Sequence, residues 1–381
     1  MRPGAPDIAW VHAIREPAQA LAWTLPQWQR VLRLSRRLRL LGRLADSQIG
    51  AGHLPQLPPA VASQLRAEAR YAQAQGGALR WALERIGSTL EAAPYPCVLL
   101  KGAAYMGQGL AIGHGRLPSD VDILVPHQHI ADAQARLQAA GWAEPALDAH
   151  DQTYYREWSH EVPPMRHPLH GLELDLHHNI LPPIAHPRVD AGSLLARLQP
   201  SAWPRWQVLH PQDQLLHSAA HLFHDSELRH RLRDLVDLDG LMRHFGPAPG
   251  FWQGLPERAE QLGLSAPLAL ACHFTQRWLH TPVPAPVLSS IAATGPAGWR
   301  GHTLRLALGQ VLTPAEPDAR APWRQGLAAQ ALLVRYHLGR LPLGLLLPHL
   351  WHKWRASPHP VSPPAAPAPG QLSIKRDVKR D

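Results

Sequence analysis

The sequence predicts an α+β fold, a small mixed β-sheet flanked by an N-terminal and a C-terminal helical region. Three observations predict it. Short apolar runs bounded by Pro or Gly lie mid-chain, at residues 96–100 (PCVLL), 121–125 (VDILV) and 172–178 (LELDLHH). Segments rich in Ala, Leu, Arg and Glu, with apolar residues at helical spacing, lie on both sides of them. Between residues 96 and 178 the order strand, helix, strand, helix, strands suits a sheet of mixed direction.

The elements follow in order. Residues 26–45 (PQWQRVLRLSRRLRLLGRLA) read as one basic amphipathic helix. Such a helix can lie on a membrane or on nucleic acid, but a solvated arginine face is the preferred reading. Residues 58–91 form a second helical stretch, with Gly76 and Gly77 as a dividing point. A strand at 96–100 is stopped by Gly102, a second spans 121–125, and residues 127–140 read as a helix closed by Gly141. Residues 153–158 and 172–178 read as further strands, the latter entered through a turn at His170 and Gly171. From Pro211, suited to the first turn of a helix, helices run to about residue 354 with a break at 246–250 (GPAPG). Residues 356–370 contain six prolines and few large apolar groups, the composition of a disordered tail. The expected regions are 1–92 (helical), 93–200 (α/β core), 201–355 (helical) and 356–381 (tail).

Composition narrows the function classes. The 381 residues suffice for about two domains. Two cysteines, Cys97 and Cys272, make neither a disulfide framework nor a four-thiolate zinc site. No apolar run approaches the roughly 18 residues of a membrane span, and the first residues lack a signal peptide's unbroken hydrophobic segment, so a cytoplasmic location is expected. The formal charge of +9 is modest for this length, and nucleic acid is disfavoured as a partner. Of the four lysines only Lys101 precedes residue 353. It is either a chance lysine in an arginine-rich chain or an ammonium placed to meet phosphate.

Chemistry gathers around residues 101–122 and 175. Asp120 and Asp122 stand two apart in SDVDILV, so their carboxylates share one face of a strand. Two such charges side by side call for a cation between them, and Mg²⁺ prefers carboxylate and phosphate oxygens. Arg116 lies just upstream, the first strand ends at Lys101–Gly102, and a third acid, Asp175, sits in a later apolar strand.

In this order, LLKGAAYMGQG, RLPSDVDILV and LELDLHHNI resemble the uncharacterised nucleotidyltransferase family of the polymerase-beta-type superfamily, over roughly residues 20–350. The resemblance implies a site in which Asp120, Asp122 and Asp175 hold two Mg²⁺ ions, with Mn²⁺ as an alternative. It also implies that Asp175 takes the attacking proton, and that Lys101, Gly102, Arg116 and His177 lie against the nucleotide. The expected reaction moves a nucleoside monophosphate from an NTP to an unidentified hydroxyl acceptor and releases pyrophosphate. One departure stands out. The wider superfamily follows its first strand with Gly-Ser, whereas this chain has Gly102–Ala103 and lacks that hydroxyl. The alternative is thus a catalytically silent nucleotide-binding subunit of a biosynthetic complex. RNA binding through the arginines of residues 30–43 is the weakest of the three readings.

His177 shares a strand face with Asp175 and reads either as a neighbour of the phosphates or metals or as a satisfied core histidine. His217, His221 and His224 form a stripe along one helix. No HExxH glutamate accompanies it, so packing against the α/β core is preferred to a zinc site. Asp234 and Asp237, on the following helix, are expected to contact the core rather than to catalyse. Trp142 is expected to be core.

Overall fold

Six short strands form one mixed sheet: β1 (Val98–Leu99), β2 (Asp120–Leu124), β3 (Met165–Arg166), β4 (Glu173–His177), β5 (Gln199–Pro200) and β6 (Gln207–Val208), in the spatial order β3-β4-β2-β1-β6-β5. They come from a computed structural model, which describes residues 7–169, 172–316 and 318–340, together with 344, 346 and 351. The sheet and its helices belong to the unit that ends at Arg340. β2 and β4 pair in parallel, as do β1 and β6, and the other pairs are antiparallel. Along β2 and β4, Val121, Ile123, Leu174 and Leu176 are fully buried. That alternation leaves the other face of the two strands to Asp120, Asp122, Asp175 and His177.

The helices are α1 (Leu25–Arg37), α2 (Leu41–Gly50), α3 (Pro59–Thr89), α4 (Lys101–Gly107), α5 (Ile130–Ala139), α6 (Ala149–Thr153), α7 (Ala191–Leu195), α8 (Pro211–Phe223), α9 (Leu232–Phe245), α10 (Phe251–Gln261), α11 (Ser265–Leu279), α12 (Ala285–Thr294), α13 (Gly298–Leu312) and α14 (Trp323–Arg340). Among the described residues none is long and apolar enough to cross a membrane. The α+β class, with helices before and after the sheet, is as the sequence predicts.

Three elements differ from expectation. The helix expected over residues 26–45 is broken between α1 and α2. Leu40 N donates to Ser35 O at 2.7 Å and Arg39 N to Arg36 O at 3.1 Å, a Schellman closure. Arg39, at φ +54°, takes the left-handed position where glycine is usual. The turn buries Leu38, Leu40 and Leu41 together, which one straight helix could not do, because Leu40 lies about 200° around the axis from Leu38. Residues 153–158, read as a strand from their aromatic content, instead extend α6 as a π-helical turn (Tyr154–Trp158). There Tyr154 meets Tyr155 and Trp158 edge to face. α3 runs unbroken through Gly76 and Gly77.

The remaining elements match in kind with trimmed ends, and Trp142 is buried. β3, β5 and β6 are two residues each, too short to leave a periodic signal. The turn expected at His170 and Gly171, the helix expected past residue 340 to about 354, and the tail at 356–381 lie outside the described residues, apart from the isolated positions named above.

The N-terminal helices reach the sheet through a backbone contact. A Cβ on Gly42 would lie 2.1 Å from Gly115 O, so α2 can press on the loop before β2 only because both positions are glycine. Arg43, one residue on, donates to Ile112 O at 2.6 Å. This loop delivers Arg116 and then Asp120.

Candidate functional site

Parallel pairing of β2 with β4 sets Asp122 directly opposite Asp175, and Asp120 opposite Glu173. In-register partners share a face, so the three acids separated in sequence stand together on one side of the sheet. His177, two residues beyond Asp175, completes the row. Its Nε2 lies 3.1 Å from Asp122 Oδ1. Asp122 is buried and accepts a second bond, from Lys101 Nζ at 2.7 Å. Asp120 is exposed at the rim, where Ser119 Oγ donates to it at 3.2 Å.

The electrostatics separate the two facing carboxyls. Burial works against the charge of Asp122, but Lys101 and His177 more than offset it and hold this carboxyl well below the usual range. Among the described residues Asp175 makes no ion pair, and the nearby His177 only partly counters its surroundings. Burial first, and then the negative charge of Asp122, push it up to about 7. Lys101 is the mirror case: desolvation lowers it, yet the Asp122 carboxylate holds its ammonium above the ordinary range. His177 is likewise lifted, against its burial, by Asp122 and Glu161.

Lys101 opens α4 at the end of β1 with φ +43°, a second non-glycine residue in the left-handed region. The twist carries its side chain towards Asp122. Gly102 comes next, and a Cβ there would lie 2.8 Å from Arg116 Nε. The space the glycine leaves is thus filled by the Arg116 guanidinium. Arg116 is buried, stacks over Tyr105 with its Cζ 5.6 Å from the ring centroid, and donates from Nη1 to Asp237 Oδ2 at 2.5 Å. Arg43 of α2 binds the other oxygen of Asp237. Two guanidiniums from different parts of the chain therefore share one carboxylate on α9.

A cavity of about 150 Å³ opens beside this row. Lys101, Gly102, Arg116, Asp120 and Asp122 line it, and so do Arg39, Arg231, Arg233, His221 and Asp234. Arg231 binds Asp225 and Asp234, and Arg233 binds Asp234 at 3.3 Å. Arg39 is exposed and has no ion-pair partner among the described residues. A wall that mixes carboxylates with guanidiniums and an ammonium can meet both a cation and a polyanion. A larger open cleft, about 990 Å³, lies elsewhere, but its only described full charges, Glu91 and Arg205, neutralise each other at 2.6 Å.

The histidine stripe divides. His217 and His221 lie near Lys101 and Asp122. Burial first, then the Lys101 charge, lowers both, His217 to about 3. His224 faces a separate apolar pocket with Arg335. Among the described residues, the metal-compatible group is not this stripe but His160, Glu161 and His177.

A family model described as an uncharacterised nucleotidyltransferase matches residues 25–280, which run from the start of α1 to one residue beyond α11. The chain belongs to this family. It is thus an enzyme of nucleotidyl transfer, a transferase of phosphorus-containing groups. No curated protein and no solved structure matches. The matched span of the nucleotidyltransferase includes every residue named above as lining the cavity of about 150 Å³.

The structure brings Lys101, Gly102, Asp120, Asp122, Asp175 and His177 together, and puts Arg116 at the cavity wall with its guanidinium bound to Asp237. Sequence reasoning missed Arg39, Arg231, Arg233, His160 and Glu161. Only tertiary pairing brings these to the site, and no local spacing marks them.

Proposed function

We propose that this nucleotidyltransferase is Mg²⁺-dependent and moves a nucleoside monophosphate from an NTP to a hydroxyl acceptor, releasing pyrophosphate. The observation that carries this reading is the Asp122–Asp175 pair, two carboxyls in register of which one is pushed up to about 7 by burial and by its neighbour's charge. Such a pair is costly unless a cation joins it. The donor set of Asp120, Asp122 and Asp175 is all carboxylate oxygen, which fits Mg²⁺ or Mn²⁺ and would hold it. When bound, such ions polarise phosphoryl oxygens and acidify a hydroxyl.

The chain's own groups do the rest. Lys101, bonded to Asp122 in the free protein, is close enough to exchange that partner for a phosphate oxygen. Arg39, Arg231 and Arg233 present guanidiniums to the β- and γ-phosphates, in place of the serine hydroxyl that Ala103 lacks. The acceptor oxygen forms a bond to the α-phosphorus as the bond to the bridging oxygen breaks, and pyrophosphate leaves. A carboxyl that titrates near 7, as Asp175 does in the free protein, suits a base that takes the hydroxyl proton. In this reading Arg116 does not bind nucleotide directly; it fixes the wall behind Gly102.

The test is pyrophosphate release by the full chain with each labelled NTP, Mg²⁺ and a panel of hydroxyl acceptors, with Asp122→Asn as control. Acceptor-dependent release by wild type alone supports the reading. Ala103 favours one rival, a silent nucleotide-binding subunit, for which calorimetry would show NTP binding while wild type and Asp122→Asn release no pyrophosphate.

A further inference from the structure

We propose that His160, Glu161 and His177 form a second metal site, distinct from the carboxylate row. It takes a transition-metal ion of the Zn²⁺ type through two imidazole nitrogens and one carboxylate oxygen. This site does not depend on the nucleotidyl-transfer reading.

The backbone builds it. The segment around residues 159–162 runs antiparallel beside the C-terminal end of β4, with a bridge between Glu161 and His177. Val162 N donates to Leu176 O at 3.0 Å and His178 N to His160 O at 2.8 Å, while His178 Nε2 lies 3.1 Å from Ser159 O. These contacts fix His160 and Glu161 against His177 whatever the side chains do. One ligand atom from each of the three residues falls within 4.8 Å of the others.

Two details point to an ion rather than to a hydrogen-bonded cluster. His177 is 2% exposed, and its Nδ1 makes no hydrogen bond. Yet that nitrogen lies 3.3 Å from Glu161 Oε2. A separation of about 3.3 Å without hydrogen-bond alignment is what two ligands of one tetrahedral ion show, given metal–ligand distances of about 2.0–2.1 Å. Glu161 Oε2 is 3.9 Å from His160 Nε2, so a side-chain movement of about half an ångström closes that edge. The ring orientation also suits a ligand: Nε2 is turned to Asp122 Oδ1 at 3.1 Å, which leaves Nδ1 facing Glu161 as the atom able to bind an ion.

Two nitrogens and one oxygen select Zn²⁺, Co²⁺ or Ni²⁺ over Mg²⁺, and three protein ligands leave one coordination position open. Metallation at Nδ1 would lock the ring that donates to Asp122, in the way that metal-bound histidines are paired with carboxylates. The ion would therefore act on the nucleotide site as a positioning element, through His177.

The experiment titrates chelator-treated full-length protein with Co²⁺ and follows its visible d–d absorption. Wild type and Asp175→Asn are expected to bind Co²⁺ alike, with the intense band of a low-coordinate ion, and excess Mg²⁺ should not displace it. His160→Ala and Glu161→Gln should each weaken binding by more than about tenfold. Circular dichroism checks their folding, and Glu161→Gln decides if His160→Ala unfolds. The absence of a band overturns the proposal, and so does equal binding by Glu161→Gln. Co²⁺ binding lost in Asp175→Asn but kept in Glu161→Gln overturns it too, since the ion then sits on the carboxylate row. Pyrophosphate release by Asp175→Asn reports separately on the transferase reading.

Discussion

Asp175→Asn should make the metal-free protein more stable at alkaline pH while removing its transferase activity. The carboxyl is pushed from the ordinary 3.8 to about 7, first by burial and then by the charge of Asp122. Its folded value lies above its unfolded value, so the stabilising effect of the proton is complete below about pH 4 and is lost as pH rises through about 7. Ionising the folded protein therefore costs at most about 4 kcal/mol. Asp175 is partly open to solvent, and screening reduces the expected figure to about 2 kcal/mol. Asparagine has nearly the same shape and never ionises. Urea unfolding in EDTA at about pH 5 and about pH 8 measures the effect. About two-thirds of the titration span lies between these pH values, so wild type should lose about 1 kcal/mol relative to the variant between the two. Adding Mg²⁺ at the higher pH should restore wild type and leave the variant unchanged, because only a ligand of the folded state shifts the balance. A gap between the two proteins that does not vary with pH would refute the reasoning.

The other predictions concern the cavity. Arg39→Gly removes a left-handed arginine and should stabilise the fold by about 1 kcal/mol while raising the KM for NTP; an unchanged KM would remove Arg39 from the site. Arg116→Ala leaves Asp237 with Arg43 alone and should cost about 3 kcal/mol in urea unfolding, whether or not nucleotide is present. Gly102→Ala drives a methyl group into the Arg116 guanidinium and should cost about 1–3 kcal/mol, measurable by the same unfolding. Because a proton and Mg²⁺ compete for Asp175, calorimetry should find Mg²⁺ affinity falling about tenfold per pH unit below about 7.

Much of the core of the site was legible in the chain. Period two set Asp120 beside Asp122, and placed Asp175 on the same side of its strand as His177. The pairing that sets Asp175 opposite Asp122 follows from a parallel register that periodicity does not encode, so the resemblance to a family carried that step. Arg39 was hidden because its helical spacing continues across residues 38–40, and burial of Leu40 overrides it. His160 and Glu161 follow an aromatic run that reads as a strand but coils, and a single bridge to His177 defines their place. The cost of Gly102 against Arg116 was likewise invisible, since the contact spans a loop.

Asp237 has the furthest-reaching consequence. One oxygen meets a cation delivered by the N-terminal helices and the other meets a cation delivered by the loop ahead of the acidic strand. A fragment holding only the sheet would keep Arg116 and lose its counter-charge, just as one lacking the first helices would leave Asp237 half neutralised. The pocket is therefore a property of the chain from α2 to α9 acting as one cooperative body, and cutting it at either seam should dismantle the wall before it touches the acids.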